Sequence, residues 1–178
     1  MSKVYFLSDL HLDHKNILDF SGPLRGGNTV EEHDDWIISQ INSVVKKRDT
    51  LYLLGDVAMS QKGLNRILEI PCKKHLIMGN HDTEPMLDYL RVFDTVRAYT
   101  KYKGFWISHM PVSNFDFDYR VRGNVHGHTH FKTVSYEHDP KHWWRYINVS
   151  VERSYGLPVT FESLFARFEQ MGKAHGET

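Results

Sequence analysis

Four runs of apolar, strand-forming residues in this chain each lead into side chains that bind metals. Val4-Tyr5-Phe6-Leu7 precedes Asp9-x-His11, and Leu51-Tyr52-Leu53-Leu54 precedes Gly55-Asp56. His75-Leu76-Ile77-Met78 precedes Gly79-Asn80-His81-Asp82, and Phe105-Trp106-Ile107-Ser108 precedes His109. A fifth segment, Gly127-His128-Thr129-His130, follows a short β-type run at 122–125. Short apolar runs of this kind read as buried strands. The fold is therefore one that gathers the ends of several strands in one place. Carboxylates, imidazoles and one amide at neighbouring strand tips are the donors that a site for two divalent cations needs.

Between these runs the first half of the chain alternates strand and helix. Residues 3–8, 50–54 and 73–78 read as strands. Thr29-x-x-Glu32 is a capping-box pattern, and Trp36, Ile37, Ile41, Val44 and Val45 recur at helical spacing through about Lys46. Leu64, Ile67 and Leu68 predict a short second helix, and 84–90 a further helical turn or two. After Arg91 short β-type runs dominate, at 92–99, 105–108, 122–125, 133–136 and 146–151. Pro158 then precedes a C-terminal helix with Thr160 as N-cap and Phe161, Leu164, Phe165 and Phe168 on one face. A β-α-β half joined to a β-rich half predicts an α/β fold, two sheets face to face with helices outside. No repeat or low-complexity tract divides the chain, so 1–171 reads as one domain and 172–178 as a frayed tail.

Lys+Arg and Asp+Glu both number 22, which leaves no global electrostatic case for long nucleic acid or a membrane surface. A single cysteine, Cys72, excludes an internal disulfide. With no signal peptide and no apolar stretch of membrane-spanning length, the expected location is the cytoplasm.

Taken singly, Asp9, Asp56 and Asn80 would be turn residues and His109 an unremarkable strand-end histidine. Together the ordered set D-x-H, GD, GNHD, H and GHxH resembles the calcineurin-like metallophosphoesterase family. The resemblance implies a four-layer α/β/β/α sandwich and two divalent metal ions. Asp9, His11 and His130 match ligands of the first ion; Asn80, His109 and His128 match ligands of the second; Asp56 matches the carboxylate shared by both. His81 is similar to the histidine that faces substrate without binding metal. The donors suit Mn²⁺ best, with Fe, Zn²⁺ or Ni²⁺ also compatible, rather than an all-oxygen Mg²⁺ or Ca²⁺ site. The implied reaction is phosphate-ester hydrolysis by in-line attack of a hydroxide held between the ions, with His81 assisting. Many relatives read GDxxD, where the second acid orients the histidine; here that position is Met59, so His81 leans on Asp82, on another acid or on nothing. No Asp-Arg-Gly follows the GD, which argues against a protein phosphatase and for a small, cap-less bacterial or phage-type member.

Several other residues carry more than one reading. His14 and Asn16, in a D-x-H-x-x-H-x-N-I stretch similar to that of a bacterial and phage branch, either line the phosphate pocket or lie at the surface. Arg25, Arg120 and Arg122 flank motif loops and either clamp phosphate or are solvated. Phe115, Phe117 and Tyr119 form an edge strand or a base-stacking platform, and Trp143-Trp144 serves the core, a homodimer contact or stacking. His126 reads as core; His33, His75, His138, His142 and His175 read as surface. The expected substrate is a nucleotide-like phosphodiester. A phosphomonoester is the alternative, and an inactive binding scaffold a third.

Overall fold

The apolar runs become the strands that the pattern predicts. The computed structural model describes residues 2–117 and 120–176. In chain order, its first half contains β1 (Val4–Leu7), α1 (Ile17–Ser21), α2 (Val30–Val44), β2 (Thr50–Leu53), α3 (Gln61–Arg66), β3 (Lys73–Ile77) and α4 (Met86–Val92). Then come β4 (Thr95–Arg97), β5 (Tyr99–Tyr102), β6 (Phe105–Ser108), β7 (Gly123–His126), β8 (Tyr146–Asn148), α5 (Val151–Ser154), β9 (Val159–Thr160) and α6 (Phe161–Ala174). Among the described residues these strands make two sheets, ordered β4-β3-β2-β1-β9 and β5-β6-β7-β8. In the first sheet, β1 to β4 are parallel and β9 is antiparallel to β1; in the second, β5 is antiparallel to β6 and the rest are parallel.

The central strands β1 and β2 are covered on both faces, which is why they are largely apolar, whereas the outer strands β3 and β4 carry Lys73, His75 and Arg97. Tyr5, Leu7, Leu51, Leu53 and Leu76 pack with Ile37, Ile41, Leu64 and Tyr89 from the helices. Phe6, Leu54 and Ile77 point the other way and join Phe105, Ile107, Val125 and Ile147 of the second sheet. Phe161, Phe165 and Phe168 of α6 stack edge-on around Phe105, with ring centroids 5.0–6.4 Å apart. Over β6 and β7 the loop after β6 packs on the outer face of the second sheet: Trp106 Nε1 donates to Asp116 O, and Asn124 Oδ1 accepts the Val112 N–H. Both predicted caps form, Thr29 Oγ1 accepting from Glu32 N and Thr160 Oγ1 from Ser163 N.

Backbone bonds at Ser8 tie the two sheets together. Ser8 N–H donates to Val149 O, and Val151 N–H donates to Ser8 O, each at 3.0 Å. That bridge brings the end of β1 beside the ends of β7 and β8, where the metal-binding motifs lie.

Several expectations change. The 92–99 run is where the chain crosses between sheets, with β4 in the first and Tyr99 opening the second. Residues 133–135 take no regular structure and a turn follows from Tyr136, with Asn148 Nδ2 holding the Lys132 carbonyl and Ser135 O accepting from His138 and Asp139 N–H. The 146–151 run stops as a strand at Asn148. Where a tail was expected from residue 172, α6 continues to Ala174, and the His175 ring meets Trp143 edge-on and stacks on Trp144. The tryptophan pair thus packs within the chain. Around Phe115 a 3₁₀ turn replaces the edge strand, leaving Phe115 exposed while Phe117 packs on Tyr146 and His142; Asp118 and Tyr119 lie outside the described residues. His126 is in the core as predicted, but His33 is fully buried rather than at the surface, and His75 is half-buried against Tyr52.

Candidate metal centre

Each motif lies just past a strand end, in backbone that turns sharply. Asp9, His11, Asp56, His128 and His130 all have positive φ, between 51° and 67°. For residues with a Cβ this costs about 1–3 kcal/mol each, a load that surrounding structure sustains and that concentrates at functional sites. The motif glycines permit the approach. A Cβ on Gly127 would overlap Ser8 Oγ and the Asp9 carboxylate, and one on Gly79 would overlap the Asp56 carboxylate.

The result is two three-residue clusters, Asp9/His11/His130 and Asp56/His109/His128, with ligand atoms inside each within 4.8 Å of one another. Asp56 faces both clusters. Its Oδ2 lies 3.3 Å from His109 Nε2 and 3.9 Å from His11 Nε2. Asn80 Oδ1 is 3.1 Å from His109 Nε2, and His128 Nδ1 is 3.2 Å from it. In the first cluster His130 Nε2 stands 3.8 Å from Asp9 Oδ1.

These donors fit cations. Both His11 ring nitrogens are buried with no hydrogen-bond partner among the described residues, an arrangement that costs free energy unless a cation fills it. Burial holds His11 down to about 3, aided by the Arg25 charge, so its ring is neutral and its lone pair free. Burial likewise raises Asp9, which favours a compensating positive charge. Asp56 is buried too, yet its hydrogen bond with His109 brings it down to about 2, and it is an anion. His109 Nδ1 donates to Leu54 O at 2.7 Å, which leaves Nε2 facing the site.

Burial opposes a proton on His109, but its hydrogen bond to Asp56 wins and the pKa is raised; that of His130 is raised by its hydrogen bond to Glu152. A cation must displace those protons. Metal affinity is therefore expected to fall as the pH drops from 8 to 6, with proton release on binding. Mn²⁺ titration across that range checks this, and a pH-independent affinity would count against ligation by these two imidazoles.

Glu152, which spacing did not single out, lies directly behind the first cluster. Its Oε1 accepts from His130 Nδ1 at 3.0 Å, from Arg25 Nε and Nη2 at 2.9 and 2.7 Å, and from Ser21 Oγ at 2.9 Å. Carboxylates placed behind a ligand histidine fix its ring orientation and raise its basicity. Arg25 is therefore corrected: it is buried, paired with Glu152 and bonded to the Asp9 and Leu10 carbonyls, and has no reach to a substrate. Glu152→Ala strands that guanidinium, and a loss of about 3–5 kcal/mol of stability is expected. Glu152→Gln keeps the packing and is expected to weaken the first cation about 10–100-fold. Urea unfolding and metal titration check the two; unchanged metal affinity would remove Glu152 from the site.

The remaining predicted residues divide. The His14 ring is 5.4 Å from that of His11 and, with His81, lines a cleft of ≈570 Å³. Asn16 is exposed and outside that lining, and Arg122 lies over the Phe165 ring just before the start of β7, at the end of that strand opposite the metal motif; neither is placed to meet substrate. Phe20, Phe131 and Lys132 line the cleft without having been foreseen. The His81 ring is exposed and 5.7 Å from that of His11, with no hydrogen bond among the described residues. Asp82 does not support it, because its carboxylate is consumed by the backbone N–H groups of Asp56, Val57 and Gly79.

The chain is 33% identical to uncharacterized protein MJ1445 of Methanocaldococcus jannaschii, over 97% of this chain and 94% of that one. It is 28% identical to the Gene 66 protein of Mycobacterium phage L5, over 93% of each. The solved structure of AQ665 from Aquifex aeolicus, described as a protein of unknown function, shares the fold with a TM-score of 0.74 at 24% identity, covering 93% of this chain and 99% of that one. No helix among the described residues is long and apolar enough to cross a membrane. The family model for the calcineurin-like phosphoesterases matches residues 2–170, and the chain belongs to that family, whose members are metal-dependent phosphoesterases.

Proposed function

We propose that this chain is a phosphodiesterase for small, nucleotide-like esters, working with two divalent cations, Mn²⁺ for preference. The observation that carries the reading is the position of Asp56 Oδ2 between His109 and His11, one carboxylate oxygen serving both clusters. A bound cation pair supplies Lewis acidity at the phosphoryl oxygen and a water acidic enough to attack near neutral pH. The protein's own side chains do the rest. Asp9, His11, His130, Asn80, His109 and His128 fix the positions of charge, and Ser150 Oγ and the His128 N–H hold the Asp9 carboxylate in place. His81, exposed on the cleft wall, gives a proton to the departing ester oxygen or stabilises charge on the phosphoryl group. Lys132 faces the same space and its ammonium favours an anion there, while burial lowers the pKa of His14, which offers a neutral ring for hydrogen bonding.

The diester preference rests on the open cleft and on the lack, among the described residues, of an inserted segment to enclose a small monoester. The unpaired, buried Cys72 agrees with a reducing cytoplasm. Rates on bis(p-nitrophenyl) phosphate and p-nitrophenyl phosphate with Mn²⁺ test the preference, and the diester is expected to be the faster. A monoester rate well above the diester rate would reverse it.

A further inference from the structure

A second cleft opens on the other side of the metal centre. It has a volume of ≈710 Å³ and is lined by His109 of the second cluster and by Asn80 beside it. Its remaining wall is largely apolar, built from Tyr99, Trp106, Met110 and Pro111. That is far more room than a phosphoryl group requires, and the wrong chemistry for one. Tyr99 and Trp106 project from paired strands, where Tyr99 faces Ser108 and Lys101 faces Trp106 across the ladder. The two rings meet edge to face at 5.4 Å. Trp106 is held from two more directions, by its N–H bond to Asp116 O and by the Lys101 ammonium 4.2 Å from its ring centroid. Tyr99 is 62% exposed, an aromatic side chain left largely in water at the edge of the centre. A fixed aromatic surface of this kind is suited to stacking a planar ring.

We propose that the Tyr99–Trp106 cleft receives the retained arm of a phosphodiester whose arm is a nucleoside. The inference rests on the phosphodiesterase reading and deepens it. With the phosphorus at the cation pair, the histidine-lined cleft and the aromatic cleft lie on the two sides of the centre. His81 lines the former, so the departing oxygen belongs there, and the ester group that stays on phosphorus extends past Asn80 and His109 into the latter. Cleavage then breaks the P–O bond on the His81 side, water supplies the new oxygen, and a nucleoside monophosphate remains against the two rings. Tyr99 and Trp106 are specificity residues in this scheme and take no part in the bond change.

Two esters with the same leaving group separate the possibilities: thymidine 5′-(4-nitrophenyl phosphate) and methyl 4-nitrophenyl phosphate. The wild type is expected to prefer the thymidine ester by about tenfold or more in kcat/KM. Tyr99→Ala, at an exposed position, and Trp106→Leu are expected to remove that preference through KM, leaving the methyl ester rate and Mn²⁺ content unchanged. Calorimetric titration of the Mn²⁺-loaded protein with thymidine 5′-monophosphate gives a readout without turnover. Tyr99-dependent binding of that nucleotide in a protein that hydrolyses neither ester would support the cleft and defeat the phosphodiesterase reading. Hydrolysis with no thymidine preference, or with a preference that survives both substitutions, would overturn the cleft while the reading stands. Neither hydrolysis nor nucleotide binding would overturn both.

Discussion

Asp56→Asn is expected to empty both cation positions and to lower turnover by on the order of 10⁴-fold or more, about 5.5 kcal/mol of barrier. The substitution removes one charge and almost no volume, so its effect isolates the electrostatic role. Asp56 is buried, and the His109 hydrogen bond that keeps it near 2 means it is fully anionic in the working range. Its Oδ1 takes the His81 N–H at 2.8 Å, which leaves Oδ2 to face His109 and His11. An amide can still accept that N–H through its oxygen, but then it turns an NH₂ group toward two imidazole nitrogens and any cation between them. Metal analysis of the purified variant, followed by Mn²⁺ titration, measures the loss. Loss of one ion with full retention of the other would show that Asp56 belongs to a single cluster.

His81→Ala is expected to leave both cations bound and to reduce turnover about 10²–10⁴-fold. The structure separates the two halves of this residue. The His81 backbone N–H supports Asp56 and survives the substitution, whereas the ring is exposed at the cleft and has no hydrogen bond among the described residues. Nothing about cation binding therefore depends on the imidazole. The loss is expected in kcat with either diester and to be smaller for p-nitrophenolate, a good leaving group, than for an alkoxide that needs a proton. Metal analysis alongside steady-state rates makes the distinction, and depletion of an ion would make His81 a ligand.

The strands, both helix caps and the convergence of the five motifs were legible because each rests on a local rule. A buried parallel strand must be apolar on both faces, and the alternation of Tyr5, Phe6 and Leu7 between the two cores is that rule at work. Glu152 was not legible. It sits in Val151-Glu152-Arg153-Ser154, an ordinary solvated-looking segment, and acquires its role from Arg25 and His130, which are distant along the chain. Arg25 and His33 were misread for the same reason: a loop arginine and a histidine early in a helix look solvated until each is found bonded to the other in the interior. The aromatic cleft was hidden because Tyr99 and Trp106 belong to neighbouring strands and become one surface only through the β5–β6 register. Met59 stands at the position where an acid would orient His81, and no other acid takes its place among the described residues.

Crystals of the Mn²⁺-loaded protein, with data collected at the manganese absorption edge, test the account most directly. Two anomalous peaks roughly 3.5–4 Å apart are predicted, one against Asp9, His11 and His130 and the other against Asn80, His109 and His128, with Asp56 touching both. A single peak, or two ions too far apart to share the Asp56 carboxylate, would contradict it.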